Sequence, residues 1–138
     1  MNLLYANDRK AAYPDSWYAA TATPLQQFPP LKGATKADVC VVGAGYTGLS
    51  AALYLAQAGR DVVLLDAQRV GFGASGRNGG QLGSGQRVEQ DTLEKMLGVD
   101  HAKKLWDLGE DAKALVKGLI AEHDIDCHLK PGVAWTAS

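Results

Sequence analysis

The sequence has little cysteine, little excess charge and no long apolar run. Two cysteines, Cys40 and Cys127, cannot staple a small secreted framework. Cys40 stands inside an apolar run and Cys127 in "IDCHL", so both read as small buried residues rather than redox or metal groups. Lys and Arg number 14 against 15 Asp and Glu, a formal net charge of −1. The clustered basic residues that a phosphate backbone recruits are missing, which argues against nucleic-acid binding. No run reaches the ~18 apolar residues of a membrane span. The opening residues carry no apolar core followed by a small-residue cleavage site, so a secretory signal is not expected and a soluble cytoplasmic chain is. His101, His123 and His128 show no ligand spacing with a third donor, so no metal is expected. Ser50 stands in no nucleophile elbow, which leaves a hydrolase without its nucleophile.

What is present is organised. Of 138 residues, 46% are apolar, which is a globular composition with enough chain for a core. Residues 1–36 hold Pro14, Pro24, Pro29 and Pro30 and read as an extended arm. A short turn of helix is expected near Trp17, with Trp17, Tyr18 and Phe28 pinning the arm to a larger body. "ADVCVVG" then reads as a strand buried on both faces. "TGLSAALYLAQAG" reads as a helix with Gly59 at its C′ position, and "DVVLLD" as a second buried strand. A helix crossover between consecutive strands implies parallel pairing. Further on, a helix is expected from about Gln86, with Val88, Leu93, Met96 and Leu97 apolar. A longer helix follows, N-capped by Asp100, with a stripe of Leu105, Leu108, Ala112, Leu115, Leu119 and Ile120. Trp106 and Trp135 read as core residues. "DCHLK" and "PGVAWTA" read as a strand, a turn and another strand. Only two strands clearly belong to one sheet, whereas a doubly wound sheet has about five or six. A piece of a longer protein is therefore expected.

Of the 16 glycines, 12 cluster between Gly33 and Gly85. Gly43, Gly45 and Gly48 form G-x-G-x-x-G between the first strand and its helix. Gly43 turns the chain out of the strand. Gly45, without a Cβ, lets a pyrophosphate reach the backbone, and Gly48 lets the helix lie close to the sheet. The helix N-terminus offers amides and a positive dipole end to phosphate. Asp66 ends the second strand, where a carboxylate accepts both ribose hydroxyls and repels a 2′-phosphate. The spacing implies an ADP-containing dinucleotide and leaves NAD and FAD both open. A glycine-rich turn in another kind of α/β unit is the structural alternative. The stretch "GFGASGRNGGQLGSGQ" follows the second strand at the sheet's carboxyl edge. It has few bulky side chains, which permits close approach of a cofactor to backbone amides. Arg77 and Asn78 are its best-placed polar groups. A floppy surface loop, and a purely structural Arg77, stand as the alternatives.

"DVCVVGAGYTGLSAALYLAQAGRDVVLLDAQRVGFGASGRNGGQ" resembles the N-terminal part of FAD-dependent amine and amino-acid oxidases, the glycine/D-amino-acid oxidase group. Within it, "SWYAAT", "GYTGLS" and "IDCHLKPG" are most similar to gamma-glutamylputrescine oxidoreductases. Asp66 departs mildly from the family, in which Glu is commoner. The resemblance implies an α/β fold: the N-terminal part of a Rossmann-like FAD-binding domain, a βαβ unit with its sheet incomplete. Residues 1–36 would be the arm, 37–124 the FAD-binding unit with its helices, and 125–138 the start of a β-rich substrate domain. Gly43, Ala44, Gly45, Tyr46, Thr47, Gly48, Asp66 and Ala67 would hold the ADP part of a non-covalent FAD. Gly73, Ala74, Ser75, Gly76, Arg77, Asn78, Gly79, Gly80 and Gln81 would line its pyrophosphate, ribityl and flavin-ring end. The implied reaction oxidises an amine C–N bond to an imine, with hydride passing to the flavin. Water then releases an aldehyde, and O2 is reduced to hydrogen peroxide. No residue stands out as the base. Glycine, sarcosine, proline or a D-amino acid is the alternative substrate, and a non-catalytic dinucleotide-binding module the alternative of another class.

Overall fold

The computed structural model describes residues 9–23 and 25–133. The chain divides into two compact units, Met1–Gly79 and Gly80–Ser138.

In the first unit, helix α1 spans Trp17–Thr21. Ser16 caps it, its Oγ accepting the Ala19 amide at 3.2 Å. Trp17 and Phe28 are 77% and 70% exposed, and Tyr18 is exposed too, so the three expected aromatics do not pin the arm. Tyr13 does. Its hydroxyl donates to Val70 O at 2.7 Å, and the Arg69 guanidinium stands 4.3 Å above its ring. A ring with a hydroxyl serves both a carbonyl and a cation, which bulk alone does not reveal.

Strand β1 (Val39–Val42) pairs in parallel with β2 (Val62–Leu65), Val39 opposite Val62 and Val42 opposite Leu65. Helix α2 (Tyr46–Gln57) makes the crossover. It ends in the double hydrogen bond of a Schellman motif, Gly59 N to Ala56 O at 2.9 Å and Arg60 N to Leu55 O at 3.0 Å. Gly59 is its left-handed residue, as the sequence leads one to expect. At the other end Gly48 sits so close to the first strand that an added Cβ would enter the Gly43 carbonyl group and touch Val41 Cγ1 at 3.4 Å. Val41 therefore faces α2. Alternate β1 residues face the other way, and Val42 is 82% exposed. Cys40 shares that open face and is exposed, as is Cys127. Both cysteines correct the expectation of burial. So does β1 itself, which is covered on one face only.

In the second unit, α3 (Gln90–Leu97) packs against α4 (Val99–Glu122). Leu93 and Ala102 are its buried apolar residues among those described. Helix α3 starts at Gln90 rather than near Gln86: Glu89 is its N-cap at ψ 142°, and the Gln86 side chain donates to Leu105 O on α4 at 2.8 Å. The cap of α4 is Gly98, at φ +80°, and Asp100 lies inside the first turn, where its charge favours the dipole. The expected apolar stripe on α4 is only part covered: Leu105, Leu119 and Ile120 are half-buried, while Leu108, Ala112 and Leu115 are exposed. Trp106 lies against Gly85 but is 39% exposed, not the core residue expected, and Trp135 lies outside the described residues. Lys113 Nζ reaches Ser84 Oγ at 2.6 Å and Glu110 Oε2 at 2.7 Å, tying the segment before α3 to α4. The Lys113 hydrogen bond, with another from Ser84, holds the Glu110 carboxyl below its usual range. Its small contribution to stability is therefore present above the ordinary carboxylate range and fades as pH falls through the lowered value.

Residues 125–133 form no strand. His128, at φ +53°, breaks the extended run, and no neighbouring strand pairs with it among the described residues. The second expected strand there extends into residues 134–138, outside the described residues. No described helix is long and apolar enough to cross a membrane.

Replacing Gly48 with Ala should destabilise the full-length protein by about 2 kcal/mol or more, since a backbone carbonyl cannot yield to the new methyl. Gly118→Ala is the opposing control. Its Cβ meets nothing within 4 Å on α4, so a gain of roughly 0.5–1 kcal/mol is expected. Denaturant midpoints of the two variants check both signs.

Candidate functional site

The parallel ladder ends where the glycine turn begins. Gly43 N donates to Leu65 O at 2.7 Å as the last rung, and Gly43 then takes φ +103°. Ala44, 2% exposed, follows as the buried foot of the turn. Gly45 is the N-cap of α2 in an extended conformation. Tyr46, Thr47 and Gly48 form the first helical turn. The first intrahelical bond runs from Leu49 N to Gly45 O, so the three preceding amides lie outside the helical ladder.

Asp66 stands just past β2 and reaches back to this turn. Its Oδ2 accepts the Ala44 amide at 2.8 Å, and its Oδ1 accepts the Gln68 amide at 2.7 Å. Each oxygen keeps a second lone-pair direction. Ala67 follows, exposed at the strand tip. Gly71 N donates to Ala44 O at 2.8 Å, so the segment after β2 grips the turn from both sides of Ala44.

The loop then folds over the start of α2. Gly73 precedes a 3-10 turn, Ala74–Gly76. Ser75 Oγ accepts the Tyr46 amide at 3.0 Å. A Cβ on Gly45 would stand 2.8 Å from that same Oγ, so only glycine admits the approach. Asn78 Nδ2 binds Ser75 O at 2.9 Å, Ala74 O at 3.1 Å and Tyr46 Oη at 3.2 Å. Arg77 turns back on its own loop, Nε donating to Phe72 O at 2.8 Å with the guanidinium 4.7 Å over the Phe72 ring. Gly79 closes the first unit, and Gly80 and Gln81 open the second. A cleft of about 470 Å³ lies at the glycine turn, bounded by the first turn of α2 and by Ser75.

The structure thus brings together the glycine turn, Asp66 and the 3-10 turn. Sequence reasoning missed Gln68 and Tyr13, which sit one layer behind Asp66. The signal available was Tyr13 in the arm and a polar pair, Gln68-Arg69, directly after the strand.

A parallel βαβ unit with a glycine turn at the carboxyl end of its first strand is an α/β arrangement of the doubly wound kind. Residues 38–138 match the family described as DAO, FAD dependent oxidoreductase, and the chain belongs to that family. It is 53% identical over 117 residues to a probable oxidoreductase OrdL of Rhizobium meliloti, covering 85% of this chain and 27% of that protein. It is 47% identical over 122 residues to the gamma-glutamylputrescine oxidoreductase of Escherichia coli, covering 88% of this chain and 29% of that protein. A probable oxidoreductase OrdL of Haemophilus influenzae is 44% identical over 122 residues, 88% of this chain and 28% of its own. The chain therefore spans little more than a quarter of these relatives. No solved structure matches it significantly.

FAD is the cofactor of this family. At Gly45 the space of a Cβ is bounded by Ser75 Oγ, which accepts the Tyr46 amide, and the groups at this turn are uncharged backbone and hydroxyl, a donor set compatible with a diphosphate.

Asp66→Ala should speed amide hydrogen exchange at Ala44 and Gln68, with a loss of about 1 kcal/mol, because both amides turn to water instead. Asp66→Asn keeps one acceptor oxygen and should fall between. Exchange measured by mass spectrometry on the full-length protein reads the difference.

Proposed function

We propose that the full-length protein bearing this chain is an FAD-dependent oxidoreductase that oxidises the C–N bond of an amine resembling gamma-glutamylputrescine. The observation that carries the reading is the backbone-lined turn at Gly45, flanked by the Asp66 carboxylate on one side and Ser75 on the other. The family and the relative named gamma-glutamylputrescine oxidoreductase support the reaction class and the substrate class.

In this reading the amides of Thr47 and Gly48, at the positive end of α2, bind the diphosphate with the turn residues Gly43, Ala44 and Gly45 beneath, while the Tyr46 amide is taken by Ser75 Oγ. Ser75 donates its hydroxyl proton to the same anion. The second lone pairs of Asp66 accept ribose hydroxyls, beside Ala67. The segment Gly73–Gly79, held by Asn78, follows the cofactor outward from the diphosphate, with Arg77 shaping the loop from within. When bound, the flavin supplies the hydride acceptor, and O2 is the terminal acceptor proposed. The reacting amine must be neutral, so the substrate pocket of the whole protein has to desolvate it.

The full-length protein should be yellow, should bleach when an amine is added without air, and should release peroxide in air. A panel of gamma-glutamylputrescine, sarcosine, glycine, proline and D-amino acids fixes the substrate. A colourless protein stabilised by NAD and not by FAD would overturn the reading. The 138-residue piece alone should bind FAD poorly, because one face of its two strands is open. Micromolar affinity of the isolated piece would contradict that expectation.

A further inference from the structure

We propose that the N-terminal arm is a latch on the nucleotide site: Ala11 and Tyr13 hold the segment Gln68–Val70, and through it they position the Asp66 carboxylate against the glycine turn. The inference rests on the dinucleotide reading of that turn and deepens it.

The segment from Asp66 to Gly71 has no ladder of its own. It consists of turn residues beyond the tip of β2, the kind of backbone that opens locally at low free-energy cost. Its hydrogen bonds go in two directions. Toward the site, Gln68 N donates to Asp66 Oδ1 at 2.7 Å, and Gly71 N donates to Ala44 O at 2.8 Å. Toward the arm, Gln68 Oε1 accepts the Ala11 amide at 2.7 Å, and Val70 O accepts the Tyr13 hydroxyl at 2.7 Å. Gln68 is therefore the node, with its backbone on the carboxylate and its side chain on the arm. Both arm contacts span 57 residues of sequence, so they are tertiary restraints rather than local turn bonds.

The arm also commits Arg69. Its guanidinium lies 4.3 Å over the Tyr13 ring, and Nη2 donates to Leu25 O at 3.2 Å. Without the arm, that cation is released three residues from Asp66, where it competes for the carboxylate that orders the turn. The latch thus fixes the carboxylate by holding Gln68 and keeps a rival cation away from it.

Coupling of this kind is reciprocal. If the arm favours the ordered site, a ligand on the site favours the docked arm. Two variants test it in the full-length protein. Tyr13→Phe keeps the ring and removes only the hydroxyl, and Gln68→Ala removes the acceptor for Ala11 and leaves the backbone amide. FAD affinity is measured by flavin fluorescence on the apoprotein, melting temperature with and without FAD, and the rate of proteolysis within residues 9–23 with and without FAD. The expected results are about three- to tenfold weaker FAD binding in each variant, the scale of one lost hydrogen bond. In wild type, FAD should slow cleavage of the arm, and in the variants that protection should shrink. The melting temperature should fall further in the FAD-bound variants than in their apoproteins. Equal falls with and without FAD, or arm cleavage indifferent to FAD, would mark a strap with no link to the site and overturn the latch alone. Wild type that holds no flavin would overturn the dinucleotide reading and the latch with it.

Discussion

The Asp66 carboxylate joins three pieces of chain. It follows β2, it receives the Ala44 amide from the turn after β1, and it receives the Gln68 amide from the segment leading to the glycine loop. A hydrogen bond to an exposed carboxylate contributes modestly, because water competes for both partners. Its importance here is geometric. The parallel ladder ends at Gly43 and Leu65, and beyond it the backbone has no sheet to follow. Asp66 continues the pairing by one further step through its side chain. The turn at Gly45, the start of α2 and the loop that covers it all take their positions from that step.

The same unit is incompletely covered. Helix α2 lies over one face of the two strands, and Val41 packs beneath it. The opposite face carries Cys40 and Val42 into solvent. Parallel sheets are covered on both faces in the proteins that contain them, since their crossovers place a layer on each side. A chain spanning 27% to 29% of its relatives' lengths can carry the glycine turn in full and its hydrophobic cover only in part. The two demands differ in range. The turn is satisfied by residues within about thirty positions of one another, and the cover by elements that topology brings from far along a chain.

That difference also decides what the sequence made legible. Strands β1 and β2, α2 and the Gly59 terminus all rest on local rules of period and turn, and each stands where the residues put it. The juxtaposition of Asp66 with the glycine turn was legible too, because parallel register carries it. Burial was not. "VCVV" reads as a strand buried on both faces, yet nothing in four apolar residues says how many layers surround them. The start of α3 lies four residues beyond Gln86, whose side chain makes a tertiary bond to Leu105 instead. In the arm, Trp17 and Phe28 drew attention by size, whereas Tyr13 holds the chain through a hydroxyl and a guanidinium fifty-six to fifty-seven residues away. Contacts of that separation leave no periodic trace.

The role of Ser75 follows from its neutrality. Its Oγ accepts the Tyr46 amide at the N-terminus of α2, a position where an anion gains from the helix dipole. A carboxylate there would satisfy the amide and also cancel the positive end of the helix. A hydroxyl accepts one hydrogen bond and still has a proton to give. Ser75 therefore turns one occupied amide into an outward donor and leaves the dipole intact. Asn78 holds it there by bonding the carbonyls of Ala74 and Ser75, and Gly45 leaves the space that its approach requires. The glycine turn and the later loop thus meet at one contact, and the serine reaches the start of α2 only because glycine stands opposite it.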